Sequence, residues 1–113
     1  MHGKFDGLGR FADPSLLILT SLSDGPKHGY AIMTEARQLT GEPLGPGTLY
    51  ATLQRLEDRR LIEALPAEDR RRPYRLTEAG TTLLRAHLEG LGDLVRTGLA
   101  RLRRSEGSGP ETP

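Results

Sequence analysis

The sequence predicts a mainly α fold with one small β-hairpin, and three observations carry that prediction. Twenty of the residues are Leu while Val and Ile together supply four, a bias that favours helices packed through leucines over an extensive sheet. Helix start and stop signals bracket successive segments along the chain. Between the third and fourth of these the hydrophobic period changes, on either side of a run of arginines. At 113 residues the chain is one domain, or one domain with an arm. Its core is modest, and an oligomer would bury more.

Taken in order, residues 1–12 show no clear period and read as a flexible N-terminal arm. The first helix opens at Asp13-Pro14: Asp accepts from free first-turn N–H groups, and Pro suits a position whose N–H would lack a partner. Leu16, Leu17, Ile18, Leu19 and Leu22 surround it with apolar surface, so it is expected to be buried on several sides, and Asp24-Gly25-Pro26 stops it. A second helix spans about Gly29 to Thr40, with Ile32, Ala36 and Leu39 as its buried stripe and Glu35, Arg37 and Gln38 toward solvent. After the break at Gly41 to Gly45, a third helix runs from Pro46 to about Arg60. Leu49, Leu53 and Leu56 share one face, and Gly47, Thr48, Ala51, Gln54, Arg55 and Asp58 lie on the opposite arc.

Leu61 to Leu65 and Tyr74 to Leu76 then read as paired short strands. The connection between them is too long for a two-residue hairpin turn, so an exposed, mobile tip is expected. Thr77 caps a final helix over residues 78–104, carrying Leu84, Leu88, Leu91, Val95 and Leu102 at three- and four-residue steps, with Gly98 in one vacant place. Gly80, Gly90, Gly92 and Gly98 each cost about 1 kcal/mol relative to Ala in a helix interior, so this helix needs a packing partner. Residues 105–113, rich in Gly, Ser, Pro and acid, read as a disordered tail.

Composition excludes several classes. The chain has no Cys, which removes disulfides, thiolate metal sites and cysteine nucleophiles and fits a reducing cytoplasm. Its longest uncharged apolar stretch, Pro14 to Leu22, is far shorter than the roughly 20 residues a membrane span needs. No basic segment followed by an apolar run suggests a signal peptide. His2, His28 and His87 lack ligand spacing, so no metal is expected. Gly45-Pro46-Gly47 lacks the Lys-Ser/Thr that completes a phosphate loop. No catalytic set and no cofactor are expected. The net charge is only +1, but Arg70 to Arg75 and Arg96 to Arg104 each hold four arginines and no acid. Basic runs in a near-neutral chain suit an anionic partner met at defined points.

Two helices joined by a Gly-containing turn, the second polar on its outer face, is the arrangement that sends a helix into the major groove. Gly47, Thr48 and Ala51 are small where such a helix nears the duplex. Gln54 and Arg55 are suited to two-bond pairing with adenine and guanine, or else form a solvated face. Arg70, Arg71 and Arg72 at the hairpin tip are suited to phosphates or the minor groove, or else are a solvated run neutralised by Glu68 and Asp69. Arg101, Arg103 and Arg104 complement a helix C-terminus.

His28-Gly29-Tyr30, Gly45-Pro46-Gly47-Thr48-Leu49-Tyr50, Leu61-Ile62 and Tyr74-Arg75-Leu76-Thr77-Glu78-Ala79-Gly80 occur in this order, and together they closely resemble the PadR family of bacterial transcriptional regulators. The resemblance implies a winged helix-turn-helix over residues 13–77, a homodimer joined by the C-terminal helix, and binding to a pseudo-palindromic DNA operator that usually represses transcription. It implies DNA contacts from Tyr30, Thr48 and Tyr50, with Arg70 to Arg72 as the wing. Some short-tailed members build a drug pocket around Trp; this chain has no Trp, so that pocket is not carried over. Leu84, Leu88, Leu91, Val95 and Leu102 are assigned to the dimer interface. Two other readings stand beside the repressor: a winged-helix module that binds protein, and a sensor that holds a small apolar effector between the final helices of the dimer.

Overall fold

The computed structural model describes residues 13–107. The arm expected over residues 1–12 and the last part of the expected tail, residues 108–113, lie outside them. Asp13 caps the first helix, α1 (Pro14–Ser21), its Oδ1 accepting from the Leu16 N–H at 2.9 Å. A 3₁₀ turn (Leu22–Asp24) follows, and the chain reverses at Gly25, whose φ of 144° favours glycine. The short strand β1 (Lys27–His28) leads directly into α2 (Gly29–Thr40), which ends on Gly41 at a left-handed φ of 81°. Then come α3 (Pro46–Asp58), β2 (Ile62–Ala64), β3 (Pro73–Leu76) and α4 (Glu78–Gly107).

The three helices α1 to α3 enclose a core of Leu17, Ile18, Ile32, Ala36, Leu49, Leu53 and Leu56, closed from the sheet side by Leu61 and Ile62. Leu84 enters it from α4. Among the described residues the two fully buried polar side chains have partners: Ser21 Oγ donates to Glu35 Oε1 at 2.6 Å, and Thr52 Oγ1 accepts from Arg55 Nη2 at 3.2 Å. Glu35, expected in solvent, is thus drawn inward. Lys27 Nζ stands 3.5 Å from its carboxylate while also donating to the Ser21 carbonyl and to Asp24. That ammonium, hydrogen-bonded to Asp24, holds the Asp24 carboxyl below the usual carboxylate range. Leu39, expected in the buried stripe, is exposed in the last turn of α2.

The sheet has three strands, in the order β1-β3-β2, all antiparallel. Lys27 pairs with Tyr74 and His28 with Pro73, a third strand that the two-stranded expectation lacked. A two-residue strand shows no alternation, and its partner lies 45 residues away or more in sequence. The α3 helix stops at Asp58, short of the expected Arg60. Arg60 takes a left-handed φ of 61°, its N–H reaches the Glu57 carbonyl at 2.9 Å, and the Leu61 N–H reaches the Leu56 carbonyl at 3.0 Å. This is the Schellman closure, with Leu56 and Leu61 supplying its hydrophobic contact.

Thr77 caps α4 as expected, its Oγ1 accepting from the Gly80 N–H at 3.0 Å and donating to the Arg60 carbonyl at 2.7 Å. The helix runs on through Gly107, so Ser105, Glu106 and Gly107 are helical and not part of a disordered tail. Its 30 residues span about 45 Å at 1.5 Å each, and the described chain is accordingly 67 Å long and only 20 Å thick. Among the described residues, the buried ones of α4, Gly80 and Leu84, lie in its first two turns, and most of the helix beyond them is exposed.

Candidate nucleic-acid interface

α3 presents its core leucines inward and Gly47, Thr48, Ala51, Gln54, Arg55 and Asp58 to solvent. Its N-cap, Gly45, brings no side-chain acceptor, and Pro46 brings no N–H. The first helical bond joins the Leu49 N–H to the Gly45 carbonyl at 2.9 Å, so Gly47 and Thr48 begin the helix uncapped and exposed. Farther along, Gln54 Nε2 donates to Asp58 Oδ1 at 2.9 Å, and the Arg55 guanidinium folds back on Thr52. Both side chains remain exposed and able to exchange these bonds for others.

Both tyrosines expected at the DNA are exposed. Tyr30, at the start of α2, is 70% exposed, and Tyr50, in the first turns of α3, is 52% exposed. Tyr74 on β3 is half-buried beside Tyr50, and burial raises its phenol above the ordinary range.

The hairpin departs from the expected open loop. Beyond β2 and β3 the pairing continues with the Leu65 N–H on the Pro73 carbonyl at 2.8 Å. The chains then separate and rejoin, Glu68 N–H to the Arg71 carbonyl at 2.6 Å and Arg71 N–H to the Glu68 carbonyl at 2.8 Å. Between them Asp69 and Arg70 have φ of 48° and 68°. Positive φ at both central residues is the signature of the type I′ hairpin turn, normally filled by Asn-Gly. The tip is therefore exposed, as expected, but it is a closed turn and not a loose loop. Arg70, Arg71 and Arg72 all point into solvent-accessible space, and none forms an ion pair among the described residues; Glu68 and Asp69 do not neutralise them. Arg71 Nη1 lies 3.3 Å from His28 Nε2. Arg75, the fourth arginine of the run, is committed elsewhere, to Glu63 at 2.7 Å across the strands.

The residues assigned to a dimer interface separate into two groups. Leu84 is 4% exposed within the single chain and anchors α4 to its own domain, so its burial needs no second chain. Leu88, Val95 and Leu102 are exposed, and Leu91 is half-buried. Leu94 and Leu99, which lie off the expected stripe, are equally bare at 67% and 50%. Leu99 follows Val95 by one full turn, beside the place that the expected spacing gives to Gly98. Near the base of α4, Leu76, Leu84 and Leu88 floor a groove of about 500 Å³ rimmed by Arg85, Glu89 and Arg96.

A helix-turn-helix whose second helix is exposed along its polar face, flanked by a cationic β-hairpin, defines a winged helix-turn-helix protein. The model of the Transcriptional regulator PadR-like family matches residues 18–86, and the chain belongs to that family of DNA-binding transcriptional regulators. It is 37% identical over 97 residues to the transcriptional regulator Rv3488 of Mycobacterium tuberculosis, covering 83% of this chain and 90% of that one. It is also 44% identical over 85 residues to an uncharacterized 37.1 kDa protein in transposon TN4556 of Streptomyces fradiae. The match covers 75% of this chain but only 25% of that protein's length. Among solved structures, a PadR family transcription regulator from Clostridium difficile R20291 superposes with a TM-score of 0.70 at 26% identity, covering 79% of this chain and 97% of that one. H. salinarum RosR gives 0.67 at 26% identity, covering 87% and 94%. No helix among the described residues is long and apolar enough to cross a membrane.

Proposed function

We propose that two copies of this chain, joined along α4, bind a pseudo-palindromic operator and repress transcription, with α3 in the major groove and the wing on the phosphates. The observation that carries the reading is the pairing of an uncapped, exposed α3 start with a tip whose three arginines have no acidic partner among the described residues. Unpaired cations at an exposed turn have little folding purpose, whereas each phosphate they neutralise releases counterions. In this reading Gly47, Thr48, Gln54 and Arg55 face the bases, and Tyr30, Tyr50 and Arg70 to Arg72 face the backbone. The dimer is supported by Leu88, Val95, Leu99 and Leu102, an exposed apolar stripe on a helix that projects from its domain.

Selection of bound duplexes from a random pool tests this directly. Two half-sites about 34–36 Å apart are expected, together with a dimer in sedimentation that Val95→Glu splits into folded monomers. A single unpaired site, or a folded wild-type monomer at micromolar concentration, would contradict the arrangement.

Gly47 gives a sharper test. Nothing in the protomer lies within 4 Å of a Cβ built there, so the fold itself has no need of glycine. Gly47→Ala is expected to raise stability by up to about 1 kcal/mol through helix propensity. The same methyl is expected to lower operator affinity on the order of tenfold, within the 1–3 kcal/mol carried by a base contact. Thermal melting and titration of the selected duplex read the two effects separately. Unchanged affinity would place the groove-facing surface elsewhere.

The groove at the base of α4 favours a second element of the reading, relief of repression by a small apolar effector. Its leucines suit an apolar body and Arg85 on its rim an acidic end, beside Glu89 and an Arg96 paired with Asp93. An effector would act by favouring a dimer whose α3 helices are wrongly spaced.

A further inference from the structure

Gly29 opens α2 and is buried, yet it has no left-handed φ that would call for glycine. Tyr50 is what requires it. A Cβ on Gly29 would lie 2.5 Å from Tyr50 Oη, 3.0 Å from its Cζ and 3.3 Å from Leu49 Cδ2. The phenol therefore rests on the bare backbone at the start of α2, bridging the N-terminal ends of the two helices, while the residue as a whole stays 52% exposed.

We propose that Gly29 is a positioning residue for DNA binding: it is the seat that fixes the Tyr50 phenol between α2 and α3, ready to meet a backbone phosphate. The inference rests on the DNA-binding reading above. A solvent-exposed tyrosine with free torsions must be ordered when it binds, and removing that loss in advance is worth about 2- to 12-fold in affinity for one side chain. The seat belongs to the same junction that holds the wing, since His28, the preceding residue, pairs with Pro73 and contacts Arg71. One dipeptide thus references both α3 and the hairpin tip. The atom that a methyl would strike is the far end of a flexible side chain on a half-exposed residue, so the phenol can swing off its seat, and Leu49 Cδ2 at 3.3 Å has to give by only a few tenths of an ångström.

The experiment compares wild type, Gly29→Ala, Tyr50→Ala and the double variant, each titrated with a duplex recovered by selection and each melted. Gly29→Ala is expected to lose about tenfold in affinity with its melting transition retained, and Tyr50→Ala to lose a similar amount. The double variant is expected to bind no worse than Tyr50→Ala, because an empty seat has nothing to place. Equal penalties for Gly29→Ala in both backgrounds, or wild-type affinity in the single variant, would overturn the inference and leave DNA binding standing. Failure of the wild type to bind any duplex would overturn the DNA-binding reading and the inference with it. In the free wild-type protein, nuclear Overhauser contacts between the Gly29 α-protons and the Tyr50 ring are expected. Their absence would remove the seat, however Gly29→Ala folds.

Discussion

Gly80→Ala is expected to lower stability by about 3 kcal/mol or more, the upper end of what overpacking a well-filled site costs. At about 4 °C per kcal/mol for a domain of this size, the melting temperature falls by about 12 °C or more. The reason lies across the interface of two elements. A Cβ on Gly80 would stand 1.9 Å from the carbonyl oxygen of Leu61 and 2.9 Å from its carbonyl carbon. Neither atom can step aside. The same oxygen accepts from the Thr77 N–H at 3.1 Å, and the Leu61 N–H is tied to Leu56 in the closure that ends α3. Moving α4 outward to admit a methyl would break the bonds that Thr77 makes to the Leu61 and Arg60 carbonyls and withdraw Leu84 from the core. Gly90→Ala is the control, because nothing lies within 4 Å of its added carbon; there helix propensity alone predicts a gain of up to about 1 kcal/mol. Chemical denaturation of the two variants should give opposite signs. A mild effect at Gly80 would mean that α4 does not sit against Leu61.

Neutralising the wing is expected to reduce the salt dependence of DNA binding more than any other change to the surface. Arg71→Ala and Arg72→Ala should each lower the slope of log affinity against log salt by about 0.9, the share of one phosphate left unneutralised, and weaken all sequences alike. Arg70 adds a second readout. Its φ of 68° is the left-handed region, which costs a non-glycine residue on the order of 1 kcal/mol. Arg70→Gly is therefore expected to stabilise the fold while lowering the slope by about 0.9. The slopes are read by titrating one duplex over a salt series for each variant. Unchanged slopes would return the arginines to a solvated run.

Much of the architecture is legible along the chain because it is local. Asp13-Pro14 before an apolar run, Gly29 to Thr40 between breakers, and Thr77 three residues ahead of Gly80 are signals read within one helical turn, and the structure places the elements there. The outward arc of α3 is legible for the same reason, since a fixed helical period sets which residues oppose Leu49, Leu53 and Leu56. What escapes depends on partners distant in sequence. The Lys27–His28 strand exists only because β3 is there to pair with it. The type I′ tip is filled by Asp69-Arg70, which carries no glycine signal, and it closes only because the flanking strands bring Glu68 and Arg71 together.

The α4 residues show where the division falls. Spacing alone puts Leu84 and Leu102 on one stripe, and spacing treats them alike. Packing separates them: Leu84 lies over the core of its own domain, and Leu102 lies beyond the end of it. The glycines divide in the same way, for a missing side chain has no periodicity. Gly47 faces open space, whereas Gly29 and Gly80 are each pressed by atoms from another element. The order of elements, their caps and their polar faces are properties of neighbouring residues, so they can be read from the linear chain. Which apolar groups are satisfied within the chain, and which glycines admit no other residue, depend on contacts between segments far apart in sequence, and those exist only once it has folded.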